Sequence, residues 1–237
     1  SGYEALRKYH QNLGHTDKDL ALSRKRIELL DYPTHYLVHI AKTSRLAQVD
    51  PRRAGLEHLW MLSRLHAAAA ALQVRKTQRS YAISRTQIDS LAEAIAFQAY
   101  TERVYPQLET ALAELAAVTG GIHPPPAVEA LRLYEEKRYA EAIEAFQRLL
   151  NRNFLDPRIF LWQGTALALL GRYSEALSVF ETGTTRFPDD TALVYTLARA
   201  YLSSGTQVER ARALLLHCLE VGVTHQRDRE IRLLLAR

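Results

Sequence analysis

The sequence predicts an all-α protein, an N-terminal helical domain followed by a C-terminal solenoid of helix pairs. Three observations carry this. Lys137, Gly171 and Gly205 recur at spacings of 34 and 34 residues, Ala130, Gly164 and Ala198 at the same spacings, and Ala142, Ala176 and Ala211 at 34 and 35. Residues 1–119 show no strand-like alternation, and their apolar side chains return at helical spacing. A chain of 237 residues that is 47% apolar also has enough material for a packed core. A repeated helix pair cannot bury its apolar faces until a neighbouring pair stacks on it, so the period points to a stack with a binding surface.

In the N-terminal half, helices are expected at about 3–13, 17–31, 34–48, 51–78 and 85–118. Asp50-Pro51 is a strong helix start. Pro106 falls inside the last segment, where it must kink the helix or begin a new one. The run Gly120-Gly121-Ile122-His123-Pro124-Pro125-Pro126 reads as a linker over 120–126, because its glycines end a helix and its prolines fit only at a helix start. Residues 1–119 are either degenerate repeats or a distinct helical domain, and the pattern leaves both open.

The second copy of the repeat shows the chemistry of the period. Asp156 caps a helix whose first position is Pro157, where a missing N–H costs nothing. Phe160, Gly164 and Leu167 make one face of that helix, and Gly171 permits the left-handed backbone that ends it. Ala176 and Gly183 on the second helix lack bulk, so the two backbones can approach closely where Gly164 faces them. Phe180 is expected to fill the gap between pairs, and Pro188 to stop the second helix. Tyr139, Ala142 and Phe146 stand at the same places one copy earlier, and Ala198, Gly205, Ala211, Leu215 and Cys218 repeat the scheme one copy later.

These residues resemble a tetratricopeptide repeat array of three units over about 123–223, with helices filling 127–223. Residues 224–237 read as a terminal capping helix, with Ile231, Leu233 and Leu234 on the stack and Arg227, Asp228, Arg229 and Glu230 keeping its outer face soluble. The resemblance implies a concave groove lined by the first helix of each unit. Carried onto this chain, that groove is Ala127, Leu131, Tyr134 and Glu135, then Arg158, Leu161, Thr165 and Leu169, then Tyr195, Arg199 and Leu202. Family members that grip a carboxylate tail use lysines and asparagines there, whereas this chain has Ala127 and Leu131. An apolar, aromatic groove with a few arginines suits a helix or extended peptide with apolar anchors.

Charge is uneven. Residues 24–85 carry twelve Lys or Arg against four acids, while 86–121 carry one against five. The basic stretch includes Arg24, Lys25, Arg26, Arg52, Arg53, Arg75, Lys76, Arg79 and Arg85. It is either a solvated face or a contact for an acidic partner, an anionic membrane surface or nucleic acid. Against specific nucleic-acid recognition, no helix-turn-helix, zinc-finger or RNP-like pattern is present in the sequence.

The single cysteine, Cys218, excludes an internal disulfide and multi-thiol metal sites, and its place at a helix crossing predicts a buried, inert thiol. Of nine histidines, His35 and His39 lie four apart, but no glutamate accompanies them as in a zinc-binding helix, and His58 and His66 read as packed or half-exposed. No metal, cofactor, small-molecule substrate or catalytic set is expected. The apolar runs fall short of the roughly 18 to 20 residues of a membrane span. A cytoplasmic protein is therefore expected, with any membrane association made through a segment upstream of the Ser-Gly start. The 25 arginines against 6 lysines, with abundant alanine and leucine, suggest a bacterial source of high GC content. The function expected is a non-catalytic scaffold or adaptor within a bacterial assembly for secretion, pili or exopolysaccharide export. The alternative is regulatory contact with nucleic acid or a membrane through 24–85.

Overall fold

Capping residues and prolines set most of the helix starts. The computed structural model describes residues 17–28, 32–74, 83–154 and 156–236. The helices are α1 (within 17–28), α2 (Pro33–Ala47), α3 (Pro51–Val74), α4 (Arg85–Thr101), α5 (Glu109–Thr119), α6 (Pro126–Glu135), α7 (Tyr139–Asn151), α8 (Pro157–Leu169), α9 (Tyr173–Arg186), α10 (Thr191–Ser204), α11 (Val208–Val221) and α12 (His225–Leu235). There is no strand among the described residues. No described helix is long and apolar enough to cross a membrane. The chain divides into two compact units, 1–129 and 130–237, with the division inside α6.

In the first unit α3 is the central helix, packed against α2, α4 and α5. Tyr36, Met61, Leu62, Leu65, Ile88, Ile95, Leu112 and Val128 belong to one buried core. Ser84 opens α4 with a reciprocal capping box, its side chain accepting from Gln87 N–H while Gln87 accepts from Ser84 N–H. Over 85–118, where Pro106 is expected to kink the helix or begin a new one, a new helix begins. The chain leaves α4 through Arg103 at φ 60° and closes the end with Val104 N–H on Ala99 O at 2.9 Å. Pro106 then sits in a short 3-10 turn, Tyr105–Gln107, before α5. A proline cannot donate into a continuing helix, which is why the break falls here. The helix expected at about 3–13, together with Arg75, Lys76 and Arg79, lies outside the described residues.

In the second unit the periodic sites do the same structural job in each copy. Lys137, Gly171 and Gly205 all adopt positive φ, at 62°, 77° and 66°. One residue later the same helix-closing bond recurs: Arg138 N–H to Leu133 O at 2.9 Å, Arg172 N–H to Leu167 O at 2.9 Å and Thr206 N–H to Tyr201 O at 3.1 Å. Arg138 and Arg172 then bridge to Glu141 and Glu175 at 2.5 and 2.6 Å. Asp156 and Asp190 cap α8 and α10, accepting from Arg158 N–H at 2.9 Å and Leu193 N–H at 2.8 Å. α9 ends at Arg186, just before Pro188.

The close approach within the second pair differs in detail from the expectation. Phe180 lies on Gly164: a Cβ built there would come within 2.7 Å of its Cζ and 2.8 Å of its Cδ1. The ring therefore fills the space left by glycine inside its own pair. Gly183 sits where its own pair meets the next unit: a Cβ there would meet Phe160 Cβ of α8 at 2.7 Å and Leu193 Cδ2 of α10 at 2.8 Å. Ala176 is buried in the same core. Cys218 is fully buried with its thiol on Thr191 O at 3.7 Å, and burial raises its pKa.

Candidate partner-binding groove

The groove residues come from α6, α8 and α10, the first helices of the three pairs. α8 packs against its pair-mate α9, the preceding α7 and the following α10, and α10 packs on α9 and α11. Helix periodicity leaves one face of α8 and α10 uncovered by these neighbours. On α8, Leu161 and Thr165 are half-buried and Leu169 is 56% exposed, while Phe160, Gln163, Ala166 and Leu167 point into the packing. Thr165 Oγ1 donates to Leu161 O at 2.7 Å. Arg158 is held against Asp156 by Nε–H and Nη2–H bonds of 2.9 and 2.7 Å, so the guanidinium is fixed at the start of the helix.

The other expected groove positions divide into open and covered ones. Tyr134 is half-buried, with Tyr139 edge-on at 5.7 Å and Phe146 at 6.4 Å, and burial raises its pKa. Glu135 and Arg199 are exposed and Leu202 is half-buried. Ala127 and Leu131 are buried. Ala127 N–H donates to Glu93 Oε1 at 3.1 Å, which places that residue in the first unit's packing.

Tyr195 is 5% exposed and is taken up by α12. Its hydroxyl donates to Glu230 Oε2 at 2.9 Å, and Arg227 stands 4.3 Å above its ring. Burial, then the Glu230 carboxylate, raises its pKa. Arg227 and Glu230 were expected on the outer face of the cap. Both are half-buried and reach Tyr195, Ile231 beside them is fully buried, and Asp228 pairs with the exposed Arg232 at 2.8 Å. Thr224 starts this helix by accepting from Arg227 N–H at 3.4 Å.

Cations of the basic stretch are drawn into internal pairs. Arg24 donates to Glu57 Oε2 at 2.7 Å and stacks 4.7 Å over Trp60. Arg53 pairs with Asp17 at 2.8 Å. Lys25, Arg26, Arg52 and Arg85 are exposed.

Sequence reading missed two buried polar networks in the first unit. Glu57, 6% exposed, accepts from His39 Nε2–H at 2.9 Å as well as from Arg24, and Ser23 Oγ lies 2.7 Å from His39 Nδ1. Burial pushes the Glu57 carboxyl up, but the bonds from His39 and Arg24 outweigh it and hold its pKa below the ordinary value. A serine, histidine and carboxylate in line resemble a nucleophilic set, yet Ser23 is 2% and His39 0% exposed, out of a substrate's reach. The second network joins His58 Nε2–H to Glu102 at 2.8 Å, and Gln98 Nε2 to Glu102 and Ser44, both at 2.6 Å. His39 is thus engaged through both ring nitrogens, and no group of three metal-ligating side chains occurs among the described residues.

Comparison with known proteins agrees with the repeat geometry. Residues 128–191 match one tetratricopeptide repeat model, and residues 167–237 match a second, which runs on through α12. No curated protein matches the chain. Residues 128–237 are therefore tetratricopeptide repeats.

Proposed function

We propose that this chain is a non-catalytic, cytoplasmic scaffold that holds a partner protein along the open faces of α8, the end of α6 and the end of α10. The partner segment is a helix or extended peptide that places apolar side chains against Leu161, Leu169, Tyr134 and Leu202. Glu135, Arg158 and Arg199 flank these anchors and set the polarity of the segment. What carries the reading is α8: Leu161, Thr165 and Leu169 follow one another a turn apart along it, the first two half-buried and Leu169 exposed, while Phe160, Gln163, Ala166 and Leu167 are buried. By analogy with other repeat scaffolds we place it as one subunit of a bacterial multi-protein assembly of the secretion, pilus or exopolysaccharide type.

The test is site-specific photo-crosslinking at Thr165, with Glu144 on the exposed face of α7 as the control position, followed by capture with a Leu161→Ser, Leu169→Ser double variant. A partner that crosslinks at Thr165 and is lost from the double variant supports the groove. Equal recovery of the same partner by wild type and variant, or crosslinking only at Glu144, overturns it.

A further inference from the structure

A cleft of about 260 Å³ opens between α7 and α9 beside α8, on side chains none of which belongs to the groove. We propose that it is a second binding site, for a ligand that pairs an amide N–H with a neighbouring carboxylate.

The amide side chains of the cleft form a directed chain. Gln163 Nε2–H donates to Gln147 Oε1 at 3.1 Å, and Gln147 Nε2–H donates to Asn151 Oδ1 at 3.1 Å. All the donation runs one way, and the head of the chain is left as an acceptor: Gln163 Oε1 is buried and carries no hydrogen bond, on a side chain 3% exposed. An acceptor in that state takes an N–H or O–H. The last side-chain torsion of a glutamine is soft, so a small rotation presents the oxygen to a group seated in the cleft.

The repeat register makes this glutamine conspicuous. One period of 34 residues later the same position is Leu197, 1% exposed in the core of the next unit. A leucine therefore satisfies the packing there, whereas an unpaired buried amide oxygen destabilises the fold. Departures from local consistency of this kind concentrate at functional sites.

The rim supplies the complementary charge. Arg186 is exposed, with its guanidinium 5.7 Å from the Phe160 ring and no carboxylate pairing with it among the described residues. Leu150 and Val179 give the cleft its apolar wall. An acceptor at the floor, an apolar wall and a cation at the rim match the N–H, the carbon chain and the carboxylate of an acidic residue. The volume suits a group of dipeptide size, smaller than the pockets that enclose drug-sized molecules. This chemistry has two sources, a free short peptide or an acidic residue within a longer chain.

The test uses the full chain labelled with ¹⁵N and the probes acetyl-Leu-Asp-amide, its neutral acetyl-Leu-Asn-amide analogue, and a longer peptide carrying Leu-Asp at its centre. The expected result is a saturable change in the side-chain amide signals of Gln163 and Gln147 with an acidic probe. Arg186→Gln and the neutral analogue should each weaken it about tenfold, the loss of one charge-assisted bond. Gln163→Leu should abolish it while raising the thermal midpoint. Saturation by the short probe alone assigns the site to a free ligand, and saturation by the longer peptide assigns it to a chain segment. No saturable change with either acidic probe, unchanged binding in Gln163→Leu, or a lowered midpoint in that variant would overturn the proposal.

Discussion

Gly164→Ala adds a single methyl at the tightest point of the second repeat. The added carbon would lie 2.7 Å from Phe180 Cζ and 2.8 Å from Cδ1, against an ordinary contact of 3.4–4 Å, so one whole edge of the ring must retreat by more than half an ångström. Phe180 is 3% exposed and has no solvent to retreat into. Overpacking of this kind costs about 1–3 kcal/mol. Opposing it, alanine is favoured over glycine in a helix interior by roughly 0.5–1 kcal/mol. The net is destabilisation by about 0.5–2 kcal/mol. Gly183→Ala should be at least as costly, since it meets Phe160 Cβ at 2.7 Å, an atom fixed to the backbone that no ring rotation can move. Gly55→Ala is the contrast: its added carbon meets the end of Gln107, an exposed and flexible side chain, and otherwise only atoms at 3.5 Å or beyond. That change should stabilise α3 by roughly 0.5–1 kcal/mol. Two units make a single unfolding midpoint hard to apportion, so the assay is urea titration with hydrogen exchange read by segment. If Gly164→Ala raised protection across 157–204 as Gly55→Ala is expected to across 51–74, Phe180 would not be seated on Gly164 and the helix-pair geometry would be refuted.

Ala176→Leu, at a buried position of the same core, should cost about 1–3 kcal/mol and loosen α10 to α12 before it reaches 17–119, because repeat stability passes through neighbouring interfaces; equal loss of protection in both units would contradict this. Lys137→Gly should stabilise the first repeat turn by about 0.5–1 kcal/mol, since lysine there is held at φ 62°, and urea unfolding that shows no gain would count against the left-handed turn. For Glu57, whose folded pKa is held down, the stabilisation is complete above the unfolded glutamate value of about 4.3 and is lost as pH falls through the lower folded value. Glu57→Ala should cost about 3 kcal/mol near neutral pH and flatten the acid limb of first-unit stability, as followed by circular dichroism; an unchanged acid limb would mean that the carboxylate is not paired. Cys218 should react with a thiol reagent only when α10 and α11 open, so labelling at the same rate in native and urea-unfolded protein would contradict its burial.

Most of what the sequence revealed about the fold was periodic or punctuating. Lys137, Gly171 and Gly205 each sit at a backbone conformation that few residues tolerate, and Asp156-Pro157 and Pro188 act through the chain's own neighbours. Such signals need no knowledge of what packs where. The same is true of the all-α class and of the repeat family, both legible before any contact was known. Where the reading stopped, the cause was a partner distant in the chain. His39 was considered as one of a pair with His35, four residues away, but its actual partners are Ser23 and Glu57, sixteen and eighteen residues away on other helices. No spacing rule connects residues across three helices, because the crossing that joins them depends on the size of every apolar side chain between.

The groove shows the same limit more sharply. Period alone assigns Tyr195 the place that Leu161 holds one unit earlier, since 34 residues separate them. In the structure Leu161 is half-buried and Tyr195 is buried, with its ring under Arg227 and its hydroxyl on Glu230. The difference comes from the end of the stack. α12 lies against the last pair as a further helix would, and a helix so placed covers part of the face that an internal unit leaves free. A periodic argument treats every copy alike and cannot anticipate the copy that carries the cap. A partner that reached the third unit would therefore meet Arg199 and Leu202 but not Tyr195, unless α12 moved. Breaking the Tyr195 bond alone separates these cases: Tyr195→Phe removes the hydroxyl and keeps the ring, at a cost of about 1 kcal/mol to the docking of α12. If α12 must move for binding, that change tightens the partner by up to about fivefold, and if the partner ends before Tyr195 the affinity stays as it was.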